Sequence, residues 1–238
     1  PNFKVVEERD QDHLWQEAID QSLQKKKNKA TLTKLVQFTT LTSLKTALTT
    51  VLKNRYAWEN IKNLEDGTSC LLTELSPNTE TETPDSLWKS FLKKHTFSSL
   101  KNKLDLFQNG SESEQLFGRQ LQTTYDAFSL NPTQETWINL IKIFLTQKGS
   151  FKKKFLSKKL STHAPALAED FLSFVSHLEA LYQSILTIRL QEKTTLLLQL
   201  FSDVYQIYTA LKDSKNLVDF DDLIVKTSTL LKNPAYGP

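Results

Sequence analysis

Apolar residues recur along this chain at three- and four-residue intervals, the period of one face of an α-helix. Leu14, Ala18 and Leu23 mark the inner side of a helix beginning near residue 10. It opens in Asp and Glu and closes on Lys25-Lys26-Lys27, the charge order that suits a helix dipole. Leu41, Leu44, Leu48, Val51 and Leu52 form a second stripe. The threonines between them lower intrinsic helix propensity, so this segment depends on packing. Residues 65–86 break the rhythm. Glu65-Asp66-Gly67, Ser76-Pro77-Asn78 and the Thr/Glu alternation up to Pro84-Asp85 predict an exposed linker. A helix then starts near Asp85 and carries Leu87, Phe91 and Leu92, with shorter helices at 96–107, 112–128 and 133–146. Asn109-Gly110 and Asn131-Pro132 punctuate these, and Thr133 with Glu135 and Thr136 opens the last. From Ala166 to Leu211 the helical pattern is nearly continuous, with Leu197, Phe201, Val204, Tyr208 and Leu211 on one stripe and a kink or break expected between Leu186 and Thr195. A break at Asp213–Leu217 precedes a final helix over 219–231. No alternating strand and no internal repeat is visible. The expectation is an all-α, multi-helix fold: N-terminal helices over 1–64, a linker over 65–86, and a helical region over 87–238.

Composition narrows the picture. The 238 residues, 39% hydrophobic and 24% charged, suffice for a substantial core. Five glycines and seven prolines argue against turn-dense β folds and Gly-rich nucleotide loops. Methionine is absent even at position 1, where Pro1 stands, which reads as a piece of a longer protein. The single cysteine, Cys70, cannot form an internal disulfide and suits a reducing compartment. There is no apolar run of about 18 residues, and the opening Pro1-Asn2-Phe3-Lys4 has no signal-peptide pattern. A soluble, cytoplasmic chain without membrane partners is expected.

Catalytic patterns are missing. There is no Gly-x-x-x-x-Gly-Lys-Ser/Thr loop to cradle phosphates and no Gly-x-Ser-x-Gly elbow. His13, His95, His163 and His177 are scattered, without the spacing of a zinc site, and read as structural or surface histidines. No catalytic residue, metal ligand or bound cofactor is therefore assigned. Charge distribution is more informative. The net charge is only +3, yet Thr136–Ala168 contains no Asp or Glu and seven lysines. Six of them, Lys148, Lys152, Lys153, Lys154, Lys158 and Lys159, are the candidate nucleic-acid-binding residues; Lys142 is the seventh. Phe151 and Phe155 interleave with them, and Gly149-Ser150 offers a flexible approach. Such a block attracts polyanions by counterion release; a solvated loop in a lysine-rich chain is the alternative. A second cluster, Asp219-Phe220-Asp221-Asp222, has Asp219 placed as an N-cap with two acids in the following turn. Three carboxylates so close also suit a metal, although neighbours on a helix point in different directions.

Tyr205-Gln206-Ile207-Tyr208 through Lys212, then Asn216-Leu217-Val218-Asp219-Phe220-Asp221-Asp222-Leu223-Ile224, resembles a signature of UvrD-like DNA helicases that lies shortly before the Walker B strand. Val225-Lys226-Thr227 to Leu230-Leu231 and the end at Ala235-Tyr236-Gly237-Pro238 are similar, more narrowly, to the AddA-type double-strand break repair helicase-nucleases of alphaproteobacteria. The opening, Pro1-Asn2-Phe3-Lys4-Val5-Val6-Glu7-Glu8-Arg9, and Lys158-Lys159-Leu160 with His163-Ala164-Pro165-Ala166-Leu167 resemble the same proteins. Residues 25–135 match only in helical character. The resemblance implies a helical 1B insertion lying between the Walker A and Walker B halves of a motor. It implies a parent that hydrolyses ATP with magnesium, moves 3′ to 5′ along single-stranded DNA and unwinds duplex ends in double-strand break repair and recombination. The implied partners are single-stranded or forked DNA, the remaining motor domains and an AddB-type nuclease subunit. The lysine block would lie beside the DNA path, and Asp219, Phe220, Asp221 and Asp222 would be structural, fixing the helix that leads to the Walker B strand. ATP and magnesium would be held by motifs this chain lacks. A reading from another class stays open: a non-catalytic helical module whose apolar grooves bind a partner helix.

Overall fold

In a computed structural model of the chain, whose described residues are 3–62, 83–94 and 104–232, the fold is all-α with one short β pair. Packing groups the residues differently from their order in the sequence. One unit takes Pro1–Pro77 together with Leu190–Pro238, and the other is Asn78–Arg189.

The first unit contains β1 (Lys4–Val5), α1 (Glu8–Gln24), a 3₁₀ turn at Lys26–Asn28, α2 (Lys29–Leu35), α3 (Leu41–Lys53) and α4 (Arg55–Lys62). It is completed by the part of α9 (Pro165–Ser214) from Leu190 onward, β2 (Leu217–Val218) and α10 (Phe220–Lys232). Leu14, Trp15, Ala18 and Ile19 of α1 share a core with Leu44, Leu48 and Leu52 of α3 and with Leu200, Phe201, Val204 and Tyr208 of α9. Leu41, expected on the α3 stripe, is exposed because it is the first helical residue, one turn short of the packed surface. Thr40 caps α3 by accepting the Ser43 amide at 3.1 Å. The hydroxyls of Thr46, Thr49 and Thr50 donate to the carbonyls four residues back, which satisfies them within the helix. Lys25-Lys26-Lys27 lies just past α1 instead of in its last turn. Among the described residues of this unit, the strand pairing is parallel, β1 with β2, in register Lys4 with Leu217 and Val5 with Val218. Two-residue strands are too short to show a period of two, so nothing in the pattern announced them.

The second unit contains α5 (Pro84–Lys94), a 3₁₀ segment at Leu104–Asn109, α6 (Glu112–Leu130), α7 (Gln134–Lys142), α8 (Lys158–His163) and the part of α9 up to Arg189. Its core is aromatic: Trp88, Phe91, Phe107, Phe128, Trp137, Phe144, Phe171 and Phe174 join Leu121 and Leu178. Ser111 and Thr133 begin α6 and α7 with capping boxes, so the expected start at Thr133 is where the helix opens. Of the expected linker over 65–86, residues up to 82 lie outside the described ones. Thr83 and Ser86 exchange amide-to-hydroxyl bonds of 3.0 and 3.2 Å around Pro84, the first residue of α5. Most of the expected 96–107 helix also lies outside the described residues, and its end is the 3₁₀ segment. The break expected between Leu186 and Thr195 is absent: α9 is unbroken from Pro165 to Ser214. Among the described residues, no helix is long and apolar enough to cross a membrane.

Candidate nucleic-acid interface

The acid-free block folds into a hairpin followed by a short helix. α7 stops at Lys142, earlier than the expected 146, because the chain turns back on itself. Leu145 and Phe151 form an antiparallel bridge, the Thr146 amide donates to the Ser150 carbonyl at 2.7 Å, and the Lys152 amide donates to the Phe144 carbonyl at 2.9 Å. Gly149 makes the turn with φ +79°, where a side chain is strained. Lys148 stands at the tip, followed by Lys152, Lys153 and Lys154, and Lys158 and Lys159 form the first turn of α8. All of them, and Lys142, are exposed, and none makes an ion pair with a described residue. Lys152 Nζ donates to the Ile143 carbonyl at 2.8 Å, which folds that side chain onto the hairpin.

Phe151 and Phe155, which the sequence intersperses among the lysines, do not share their surface. Phe151 packs on Phe144 and Tyr182 with ring centroids 6.4 and 5.6 Å apart. Phe155 packs on Phe117, Phe144 and Phe171 at 6.0, 5.6 and 5.6 Å. The two rings root an otherwise irregular segment in the core and leave the lysines outward. A third anchor follows directly. Ser157 caps α8 by accepting the Leu160 amide at 3.2 Å, and its own amide donates to Glu114 Oε1 at 2.8 Å. Glu114 Oε2 accepts the Ser111 amide at 2.8 Å, the Ser111 hydroxyl at 2.9 Å and the Ser157 hydroxyl at 3.3 Å. Burial pushes this carboxyl upward, but the amides of Ser157 and Ser111 and their hydroxyls outweigh it and hold Glu114 below its ordinary value.

The aspartate cluster belongs to the first unit and has a different character. Asp219 is the residue before α10, and it exchanges bonds with Asp222: the Asp222 amide donates to Asp219 Oδ1 at 2.9 Å, and the Asp219 amide to Asp222 Oδ2 at 3.0 Å. The Asp219 carboxylate, 1% exposed, also meets Arg55 at 2.7 Å, Lys212 Nζ at 2.8 Å and the Tyr208 hydroxyl at 2.7 Å. Arg55 reaches on to Asp221 at 2.9 Å, and Lys212 pairs with Asp222. Burial pushes Asp219 up, but Lys212, Tyr208 and the Asp222 amide hold it well below the carboxylate range; burial beside that carboxylate raises the Tyr208 phenol. Phe220 alone of the motif turns outward.

This arrangement does not fit magnesium or a nucleotide. Each carboxylate faces a cation, and no group of three His, Cys, Asp or Glu among the described residues could hold a metal. The adjoining cleft, about 210 Å³, mixes Glu8, Asp12 and Asp221 with Lys53 and Arg55 and so presents no uniformly positive cradle for phosphates. Of the histidines, His163 and His177 bond their own helices through the carbonyls of Lys159 and Ser173, His13 is exposed, and His95 lies outside the described residues.

Sequence reasoning missed Glu114, described above, and two further buried charges. Arg55, one of four arginines beside 26 lysines, is the partner of Asp219, and its rarity in so lysine-rich a chain was the available signal. Asp203, 4% exposed toward the C-terminal end of α9, accepts from Ser22 Oγ at 2.8 Å and Asn28 Nδ2 at 3.0 Å, and pairs with Lys25 and Lys27. An acid on the apolar stripe between Phe201 and Val204 was its signal. No family model, curated protein or solved structure matches this chain.

Proposed function

We propose that this chain is a DNA-contacting helical subdomain of an ATP-dependent 3′–5′ DNA helicase of the UvrD-like, AddA type, acting in the cytoplasm in double-strand break repair and recombination. The observation that carries the reading is the outward row of exposed lysines on the hairpin and the start of α8. Lysine ammoniums are point charges that meet phosphate without demanding a bidentate geometry. With Phe151 and Phe155 turned inward, contact runs to the phosphate backbone and not to stacked bases. ATP and magnesium belong to motor domains outside these residues, and an AddB-type nuclease subunit is the partner of the whole enzyme.

The test is a fluorescence-anisotropy titration of the 238-residue chain with forked DNA at two salt concentrations. Affinity is expected to fall steeply with salt. The combined variant Lys152→Ala, Lys153→Ala, Lys154→Ala is expected to lower the salt slope by about 2–3 units, near one per lost phosphate contact. An unchanged affinity and slope would take the block out of the DNA path.

A second reading rests on α10. Phe220, Ile224 and Leu231 are 69, 57 and 59% exposed and line an apolar groove with Leu223. β1 and β2 pair only with each other among the described residues. In the helicase reading this end abuts a motor domain. In the alternative it binds a partner helix as a protein-interaction module. Protein association that is insensitive to salt, with no binding to DNA, favours the alternative.

A further inference from the structure

We infer that Glu114, a buried acid, is the positioning residue of the basic surface: it fixes where the lysines stand, so that DNA binding depends on a negative charge beneath them. This rests on the DNA reading above.

The seat is built for a carboxylate. Glu114 is 6% exposed and receives two amides and two hydroxyls from Ser111 and Ser157. These are the residues that begin α6 and α8, so one side chain ties two helix starts together across 43 positions of sequence. Gly110 leaves the room: a Cβ there would stand 2.8 Å from Glu114 Oε2. Downstream of Ser157 the first residues of α8 are Lys158 and Lys159. Upstream, Lys152, Lys153 and Lys154 are strung between the Phe151 and Phe155 anchors. The stretch from Phe151 to Ser157 has no regular helix or ladder of its own beyond the bridge at Phe151. Its geometry is therefore set at the anchors, and Ser157 is the one that also starts α8.

The substitution Glu114→Gln separates positioning from charge. A glutamine has the same shape but only one acceptor oxygen, so its amide must face one of the two backbone N–H groups, and one helix start loses its acceptor. Electrostatics alone predicts the opposite sign: removing a negative charge near the lysines raises affinity for a polyanion. The measurement is anisotropy of the 238-residue chain with a short, fluorescein-labelled forked DNA across a salt series, with circular dichroism confirming helix content. For Glu114→Gln, affinity is expected to fall about tenfold and the salt slope to drop by about 1–2 units, as if one or two phosphates were released although every lysine remains. Ser157→Ala, which removes only the hydroxyl bonds, is milder and is expected to weaken binding about twofold. Glu112→Gln, the loss of an exposed acid in the same turn, is expected to leave binding unchanged or slightly tighter. Should Glu114→Gln or Ser157→Ala, folded, bind as tightly as the unaltered chain with the same slope, the positioning role is refuted while the DNA reading stands. Failure of the unaltered chain to bind at low salt overturns the DNA reading and this inference together.

Discussion

At the scale of single residues, the two buried carboxylates of the first unit do the most to define it. Asp219 and Asp203 are each matched by two cations and further donors, so neither is an uncompensated charge. Such a pair adds little over an apolar replacement, but removing one partner strands the other. Here Arg55→Met or Lys212→Met still leaves Asp219 its second cation and the Tyr208 hydroxyl, and is therefore expected to destabilise the chain by about 1.5–3 kcal/mol, the worth of a lost bond to a charged group. A lower urea midpoint at unchanged slope would show it; a midpoint within error of the unaltered chain contradicts the burial argument. The pH dependence follows from the same atoms. Asp203 is pushed up by burial but held well below its ordinary value by Lys27, Ser22, Lys25 and Asn28, as Asp219 is by its own partners. A carboxyl depressed in the folded state stabilises above its unfolded value, near about 3.9, and that contribution is lost as pH falls through the folded one. Stability is therefore expected to decline below about pH 5, and Asp203→Asn to flatten that decline. Urea midpoints measured from neutral to acid pH decide the matter; an equally steep acid limb in the variant would rule Asp203 out as its source.

At the scale of elements, what was legible followed from periodicity and capping. The α3 stripe, the Thr133 start and the long C-terminal helix were readable because each repeats one physical signal over several turns. The uninterrupted α9 was not. Charged and β-branched residues between Leu186 and Thr195 lower propensity, but Ile185 is buried in the core of one unit and Leu196 in that of the other, and this packing overrode it. The basic block was visible as charge, but its anchoring was not: Phe151 and Phe155 point to the core only because the Phe144, Phe117 and Phe171 rings wait there, and no local pattern encodes that. Of the aspartate motif, the N-cap was readable from Asp219 alone, whereas Arg55 is 164 positions away in sequence (219 − 55). A helix glycine illustrates how context reverses a rule. Gly118 lies inside α6, where Ala would ordinarily add about 0.5–1 kcal/mol. Here a Cβ would stand 2.8 Å from Phe107 Cβ. Gly118→Ala is expected to lower stability by about 1–3 kcal/mol, the cost of overpacking. A thermal midpoint equal to or above that of the unaltered chain would show that Phe107 yields.

At the scale of the whole molecule, charge and chain order are both unevenly distributed. The acid-free block carries +7 of a net +3, so the rest of the chain is net acidic. Polyanions are therefore expected to bind at one place, which makes the lysine variants above informative. The two cores differ in how they are drawn from the chain. Every buried member of the aromatic core lies between Trp88 and Ile185, whereas the other core needs Val6–Trp58 together with Leu196–Tyr208. Residues 78–189 made alone are expected to unfold cooperatively in urea, and residues 1–77 alone to show no cooperative transition. A sharp transition from the shorter piece would mean its helices need no help from α9. The same discontinuity sets a timetable during synthesis. Leu14, Trp15, Leu44 and Leu48 leave the ribosome long before Phe201 and Tyr208 exist to cover them, a delay on the order of 10 s at ordinary elongation rates. During that interval the nascent chain carries a half-built apolar surface, the kind of surface on which chaperones act, while the contiguous aromatic unit is free to close first.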